Sequence, residues 1–126
     1  MTRPWAARII ACLAIAVLSA CANAAQPERT ARPNEVQVFE PQGQPDRWTY
    51  TPNTLSVMSG TTVTFVNRGT EFHTVTSDDP GRLFDISLDS NKTATFTFEK
   101  AGTYTYHCGV HPQMKGVIRV CDGGCG

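Results

Sequence analysis

The chain has 126 residues, with 11 Lys and Arg against 11 Asp and Glu, a formal net charge of +0. That length fits one domain and leaves no room for a nucleotide-binding unit beside a substrate unit, and a neutral chain without a run of Lys or Arg offers no footprint for nucleic acid. A 40% hydrophobic and 17% charged composition is that of a globular protein, and the five Cys, an odd number, cannot all pair.

The first elements are a leader and a tether. Arg3 and Arg8 precede an uninterrupted apolar run over residues 9–18, which small residues follow. That run falls short of the about 20 apolar residues that cross a bilayer, so residues 1–24 read as a cleaved export signal. Two cleavage sites compete. Ala22-Asn23-Ala24 has the A-x-A form of ordinary secretion, whereas Leu18-Ser19-Ala20-Cys21 resembles the bacterial lipoprotein box, which ends the signal at residue 20 and leaves Cys21 lipidated. The lipoprotein reading accounts for a Cys at that offset and implies membrane attachment through Cys21. The alternative treats Cys21, like Cys12, as a small apolar residue of a discarded peptide. Both place the protein in the periplasm or cell envelope. Residues 25–34 are polar, contain Pro27 and Pro33, and read as a linker. Loss of residues 1–24 removes two Arg and no acid, which leaves a net charge of −2.

From residue 35 to residue 120, alternation at period two replaces helical periodicity. Val36 and Val38 begin it, and Val63 and Phe65 mark a strand over 61–67. Ala94, Phe96 and Phe98 alternate with Thr93, Thr95 and Thr97. Tyr104 and Tyr106 share one face, with Thr103, Thr105 and His107 on the other, and Val117, Ile118 and Val120 close the set. Such β-branched and aromatic residues suit a half-buried pleated surface. Turn signals at Pro52-Asn53, Ser59-Gly60, Asn67-Arg68-Gly69, Asp79-Pro80-Gly81, Asp89-Ser90-Asn91 and Ala101-Gly102 separate the runs. The expectation is an all-β sandwich of about seven to eight strands. Met58 matches no functional pattern and is expected in the packing.

Between the last two strands Cys108, His111 and Met114 stand three residues apart on one loop, which can wrap their side chains around a single point. A thiolate, imidazoles and a weak axial Met are the ligand set of a type 1 copper centre, with two His and one Cys in a plane. The second imidazole must come from elsewhere. His73 is the candidate, because His107 directly precedes Cys108 and strand alternation turns it to the opposite face. Zinc also takes thiolate and imidazole, but a structural zinc site wants four strong ligands and a thioether is a poor one. One type 1 copper ion is therefore the expected cofactor. In the tail, 121–126, a disulfide between Cys121 and Cys125 is expected in an oxidising compartment, with Gly123 and Gly124 easing closure. The alternative there is a second copper site built from the two thiolates.

The segments Gly60-Thr61-Thr62-Val63-Thr64-Phe65-Val66-Asn67, Phe72-His73-Thr74-Val75, Ala101-Gly102-Thr103-Tyr104-Thr105-Tyr106-His107-Cys108 and His111-Pro112-Gln113-Met114-Lys115-Gly116 resemble the plastocyanin-like cupredoxins. The Cys-x2-His-x2-Met spacing is the short loop of the amicyanin type, and the resemblance covers roughly residues 36–120. It implies a Greek-key sandwich, one-electron transfer outside the cytoplasm, and His73, Cys108, His111 and Met114 as copper ligands. It further implies that His111 reaches the surface as an electron port, in an apolar patch for which Val110, Pro112 and Met114 are the local residues. One position departs from the pattern. The family usually has Asn after the first ligand, where it ties that segment to the Cys loop, and this chain has Thr74. Thr74 keeps a hydroxyl and an N–H with a shorter reach.

These readings converge on a monomeric, non-enzymatic electron carrier that meets a redox donor and an acceptor through brief docking. Copper oxidases and nitrite reductases add a second copper site with paired histidines, for which three His in all are too few. The rival reading is a copper-binding protein that stores or delivers the metal, which the tail cysteines favour.

Overall fold

The computed structural model describes residues 32–125. The expected leader 1–24, with its lipidation candidate Cys21, and most of the linker 25–34 lie outside the described residues. Within them the chain forms β1 Glu35–Phe39, β2 Thr49–Thr51, β3 Thr54–Met58, β4 Thr61–Val66, β5 His73–Ser77, β6 Asp85–Leu88, β7 Thr93–Phe98, β8 Gly102–His107 and β9 Lys115–Cys121, with a single 3-10 turn at Pro45–Arg47. One sheet has the order β2-β1-β4-β7 and the other β3-β9-β8-β5-β6. The all-β sandwich is as expected, with slightly more strands, because β2 and β6 are three and four residues long and too short to show alternation.

Pairing is antiparallel except where the chain changes sheets. Pro52, which cannot donate to a ladder, follows β2 through a cis Thr51–Pro52 bond, and the chain then enters the other sheet as β3. After the Ser59-Gly60 turn it returns as β4. These two crossings leave β1 parallel to β4 and β3 parallel to β9.

The core lies between the sheets where the alternation directs it. Val63 and Phe65 of β4, Tyr106 of β8 and Ile118 of β9 are fully buried, while Thr62, Thr105 and Arg119 face solvent. Tyr106 stands at the centre, with Tyr50 at 4.9 Å and Phe65 at 5.8 Å between ring centroids. Burying each such ring contributes about 2–3 kcal/mol. The Tyr106 ring lies over Gly116, its partner in the β8–β9 register, so closely that any Cβ at 116 would overlap it. Gly116 is thus fixed by the Tyr106 ring that covers it.

Two expectations need correction here. Met58 is not packing material: it is 43% exposed at the end of the edge strand β3, of which Val57 is buried and Leu55 packs partly buried against the core. Cys121, assigned to the tail, is the last residue of β9 and pairs with Met58 in the register.

Candidate metal centre

The loop joining β8 to β9 closes on itself through its backbone. The Cys108 N–H donates to the Met114 carbonyl at 3.1 Å, and the Met114 N–H donates to the His111 carbonyl at 2.9 Å. This turn brings Cys108 and His111 to one end of the sandwich, with Met114 fully buried where the loop enters β9. His73 arrives from the other direction, as the first residue of β5, beside β8 in the same sheet. Buried Asn67 shapes its approach: the side-chain amide donates to the Glu71 and Leu88 carbonyls and accepts the Gly69 N–H.

The result is one cluster. The Cys108 Sγ lies 3.8 Å from both His73 Nδ1 and His111 Nδ1, and the two nitrogens are 3.2 Å apart. Among the described residues, this is the group whose ligand atoms all lie within 4.8 Å of one another. His107 stands apart, its Nδ1 on the Asp78 carboxylate.

Residues outside the sequence pattern set the chemistry of these donors. Glu40, just beyond β1, places its carboxylate against His73 Nε2 at 3.1 Å and also accepts the Thr70 N–H and hydroxyl and the Glu71 N–H. Burial alone would push Glu40 up, yet these donors hold it below the usual carboxylate range. With Nε2–H committed to Glu40, Nδ1 of His73 is the nitrogen left to face Cys108. Glu40 enters only because residue 69 is Gly, since a Cβ there would collide with its carboxylate. Burial pushes His73 down, but Cys108 and Glu40 outweigh it and raise its pKa. Burial likewise pushes the Cys108 thiol up, yet hydrogen bonds from His73, the Thr74 and Val110 N–H groups and His111 bring it down to about 5. Cys108 is therefore a thiolate at neutral pH.

Thr74 ties the His73 segment to the Cys108 loop by two separate contacts. Its N–H donates to Cys108 Sγ at 3.3 Å, and its hydroxyl oxygen accepts the Gly109 N–H at 2.7 Å. Trp48, ahead of β2, covers the imidazoles, with its ring centroid 5.7 Å from His73 and 4.9 Å from His111. Neither Glu40 nor Trp48 was singled out from the sequence.

Three lone-pair donors crowded at these distances repel one another unless a cation lies among them. The upward shift of His73 favours a proton there in the metal-free protein, and a metal ion can take the proton's place. One thiolate and two imidazoles suit copper or zinc. Two exposed apolar side chains flank the cluster at the surface: Val110 is 51% exposed and Pro112 is exposed, with His111 half-buried between them. Met114, counted in that patch from the sequence, is fully buried and contributes no surface. In the tail Cys121 and Cys125 are joined by a disulfide at the end of β9 away from the metal loop.

Comparison with known proteins gives a consistent answer. Residues 9–120 match the family described as a cupredoxin-like domain. Amicyanin-alpha of Methylorubrum extorquens is 34% identical over 120 residues, covering 92% of this chain and 95% of that one. A purple cupredoxin from Nitrosopumilus maritimus superposes with a TM-score of 0.61 at 29% identity, over 69% of this chain and 98% of that one. A copper-containing nitrite reductase from Thermus scotoductus superposes with a TM-score of 0.59 at 30% identity, over 74% of this chain but only 23% of the enzyme.

Proposed function

Because this chain belongs to the cupredoxin-like family, with an amicyanin-type fold and copper as its cofactor, we propose that it is an exported one-electron carrier whose copper is held by His73, Cys108, His111 and Met114. The observation that carries this reading is the convergence of one thiolate and two imidazole nitrogens on a single point between two strands. Met114 supplies the weak fourth donor, which favours copper over a structural zinc.

When bound, copper supplies one electron by cycling between its cuprous and cupric states. The protein keeps the ligands still while that happens. Cys108 is held as thiolate by the Thr74 N–H, His73 is oriented by Glu40, and the loop carrying His111 is closed on the Cys108 N–H. Ligands fixed by the fold demand little rearrangement between oxidation states. The half-buried His111, flanked by exposed Val110 and Pro112, is the port through which a donor and an acceptor exchange electrons. A small uncharged contact there suits brief docking by a monomer.

The likeness to a nitrite reductase concerns one domain of that enzyme. Catalysis would need further histidines, and the third His of this chain, His107, is occupied by Asp78. Storage or delivery of copper by the tail cysteines is disfavoured by their disulfide. Export rests on residues 1–24, with Cys21 the lipidation candidate. Mass measurement of the mature N-terminus distinguishes a chain starting at Ala25 from one starting at a lipidated Cys21.

The test is addition of Cu(II) to the purified protein. An intense blue thiolate-to-copper band is expected, and it should vanish in Cys108→Ser. Its absence at full copper occupancy would sink the proposal. Stopped-flow reduction set against copper loss to a chelator separates a carrier from a delivery protein.

A further inference from the structure

The two imidazoles of the cluster are held in different ways. His73 is fully buried, and its Nε2 is fixed by the Glu40 carboxylate. His111 is half-buried on an exposed loop, and among the described residues nothing hydrogen-bonds its Nε2. A ring on such a loop is free to turn about its side-chain torsions unless something packs against it. Trp48 does so: the indole meets the His111 ring edge to face, with an interplanar angle of 80°.

The segment that carries Trp48 is itself braced. The indole N–H donates to the Pro41 carbonyl at 3.1 Å, and the Trp48 N–H donates to the Pro45 carbonyl at 3.3 Å. Arg47 is tied to Gln44 through both backbone and side chain. Gln113, two residues past His111, donates its side-chain amide to the same Pro45 carbonyl at 3.0 Å. Residues 40–48 therefore form a strap that touches both halves of the centre: Glu40 at its start grips His73, while Pro45 and Trp48 at its end hold the His111 loop.

We propose that Trp48 is the positioning residue of His111, doing by ring packing what Glu40 does for His73 by a hydrogen bond. This rests on the copper reading for its consequence, a His111 that keeps one orientation in both oxidation states, but not for the contact itself. An aromatic ring packed edge to face with the imidazole restricts its rotation without adding a charge at the exposed end of the centre. Gln113 latches the strap and the loop together, so the indole and the imidazole keep their separation.

The experiment uses the full chain with Trp48→Phe, Trp48→Leu and Gln113→Ala. In the metal-free proteins, nuclear Overhauser contacts from the His111 ring protons to His73 and Cys108 report its orientation. They should persist in Trp48→Phe, weaken in Gln113→Ala and be lost in Trp48→Leu. In the copper-loaded proteins, electron self-exchange followed by NMR line broadening should slow by about tenfold in Trp48→Leu, one aromatic contact transferred into the barrier, and stay within about twofold in Trp48→Phe. Should Trp48→Leu fail to fold, Gln113→Ala decides alone by the same two readouts. Unchanged His111 contacts and unchanged self-exchange in Trp48→Leu, or in Gln113→Ala where it stands alone, would overturn the proposal. A wild-type protein without a blue band would instead overturn the copper reading, leaving the metal-free contacts to decide the role of Trp48.

Discussion

The His73 side and the His111 side of this centre present the same nitrogen, Nδ1, to the same sulfur at the same 3.8 Å, yet they are built on opposite principles. The His73 side is a hydrogen-bond network, buried at His73 and exposed at Thr70 and Glu71, in which a single carboxylate accepts from a hydroxyl, two backbone N–H groups and an imidazole. The His111 side is an exposed turn steadied by its own backbone and by an indole packed edge to face with the imidazole. Satisfied polar networks are costly to disturb, because removing one member strands the others. Ring packing yields more gradually. A carrier benefits from both, since one ligand must be immobile while the other must meet partners at the surface.

The strongest way to break the asymmetry is Glu40→Ala. It leaves the buried His73 Nε2–H without its charged acceptor, while the exposed Thr70 and Glu71 N–H groups turn to water, and should cost the metal-free protein about 3 kcal/mol in urea unfolding. Gly69→Ala attacks the same network from outside by displacing the carboxylate. The double variant should therefore lose far less than the sum of the two single losses.

Next in size is a pH effect on the thiolate and imidazole that join the two sides. The folded pKa of Cys108, about 5, lies below its unfolded value, whereas that of His73 is raised above 6.5. Below pH 6.5 the unfolded chain holds a proton on each group, while the native pair holds one until Cys108 protonates near 5. The unfolded state binds more protons in that window, so stability falls as pH falls, by about 2 kcal/mol at roughly 1.4 kcal/mol per unit. Urea titrations of metal-free wild type from pH 6.5 to 5 should show that loss, and Cys108→Ser should remove it.

The smallest effect belongs to the seam. Thr74 serves His73 as its neighbour on β5 and serves the His111 loop by accepting the Gly109 N–H. Thr74→Val keeps the N–H to Cys108 Sγ and loses the hydroxyl, at a cost of about 1 kcal/mol. Its sharper signature should be a small displacement of the blue band with the band itself retained, which visible absorption of the copper-loaded variant reads directly. A variant whose band disappears would mean that the hydroxyl, and not the N–H, fixes the sulfur.

Much of this architecture could be read from the chain. The strands β7, β8 and β9 alternate cleanly, and β4 does so as far as Phe65, because each has one buried and one more solvated face. By contrast, β5 buries His73, Thr76 and Ser77 along with Val75, so its pattern is polar and its role was read from His73 alone. Edge strand β3 buries one residue and shows little period. Met114 was expected both to ligate and to line the surface, and its complete burial rules out the second role.

What the sequence determined by itself is the all-β class and the meeting of Cys108 and His111, because a three-residue spacing on a short loop places side chains together whatever the rest of the molecule does. What only the tertiary structure decided is how those donors are held. Glu40 lies 33 residues from His73 and shares the β1–β2 connection with Trp48, and both reach the centre because β1 pairs with β4 and β2 with β1. Contacts across such distances depend on sheet order and register, which alternation within one strand does not encode.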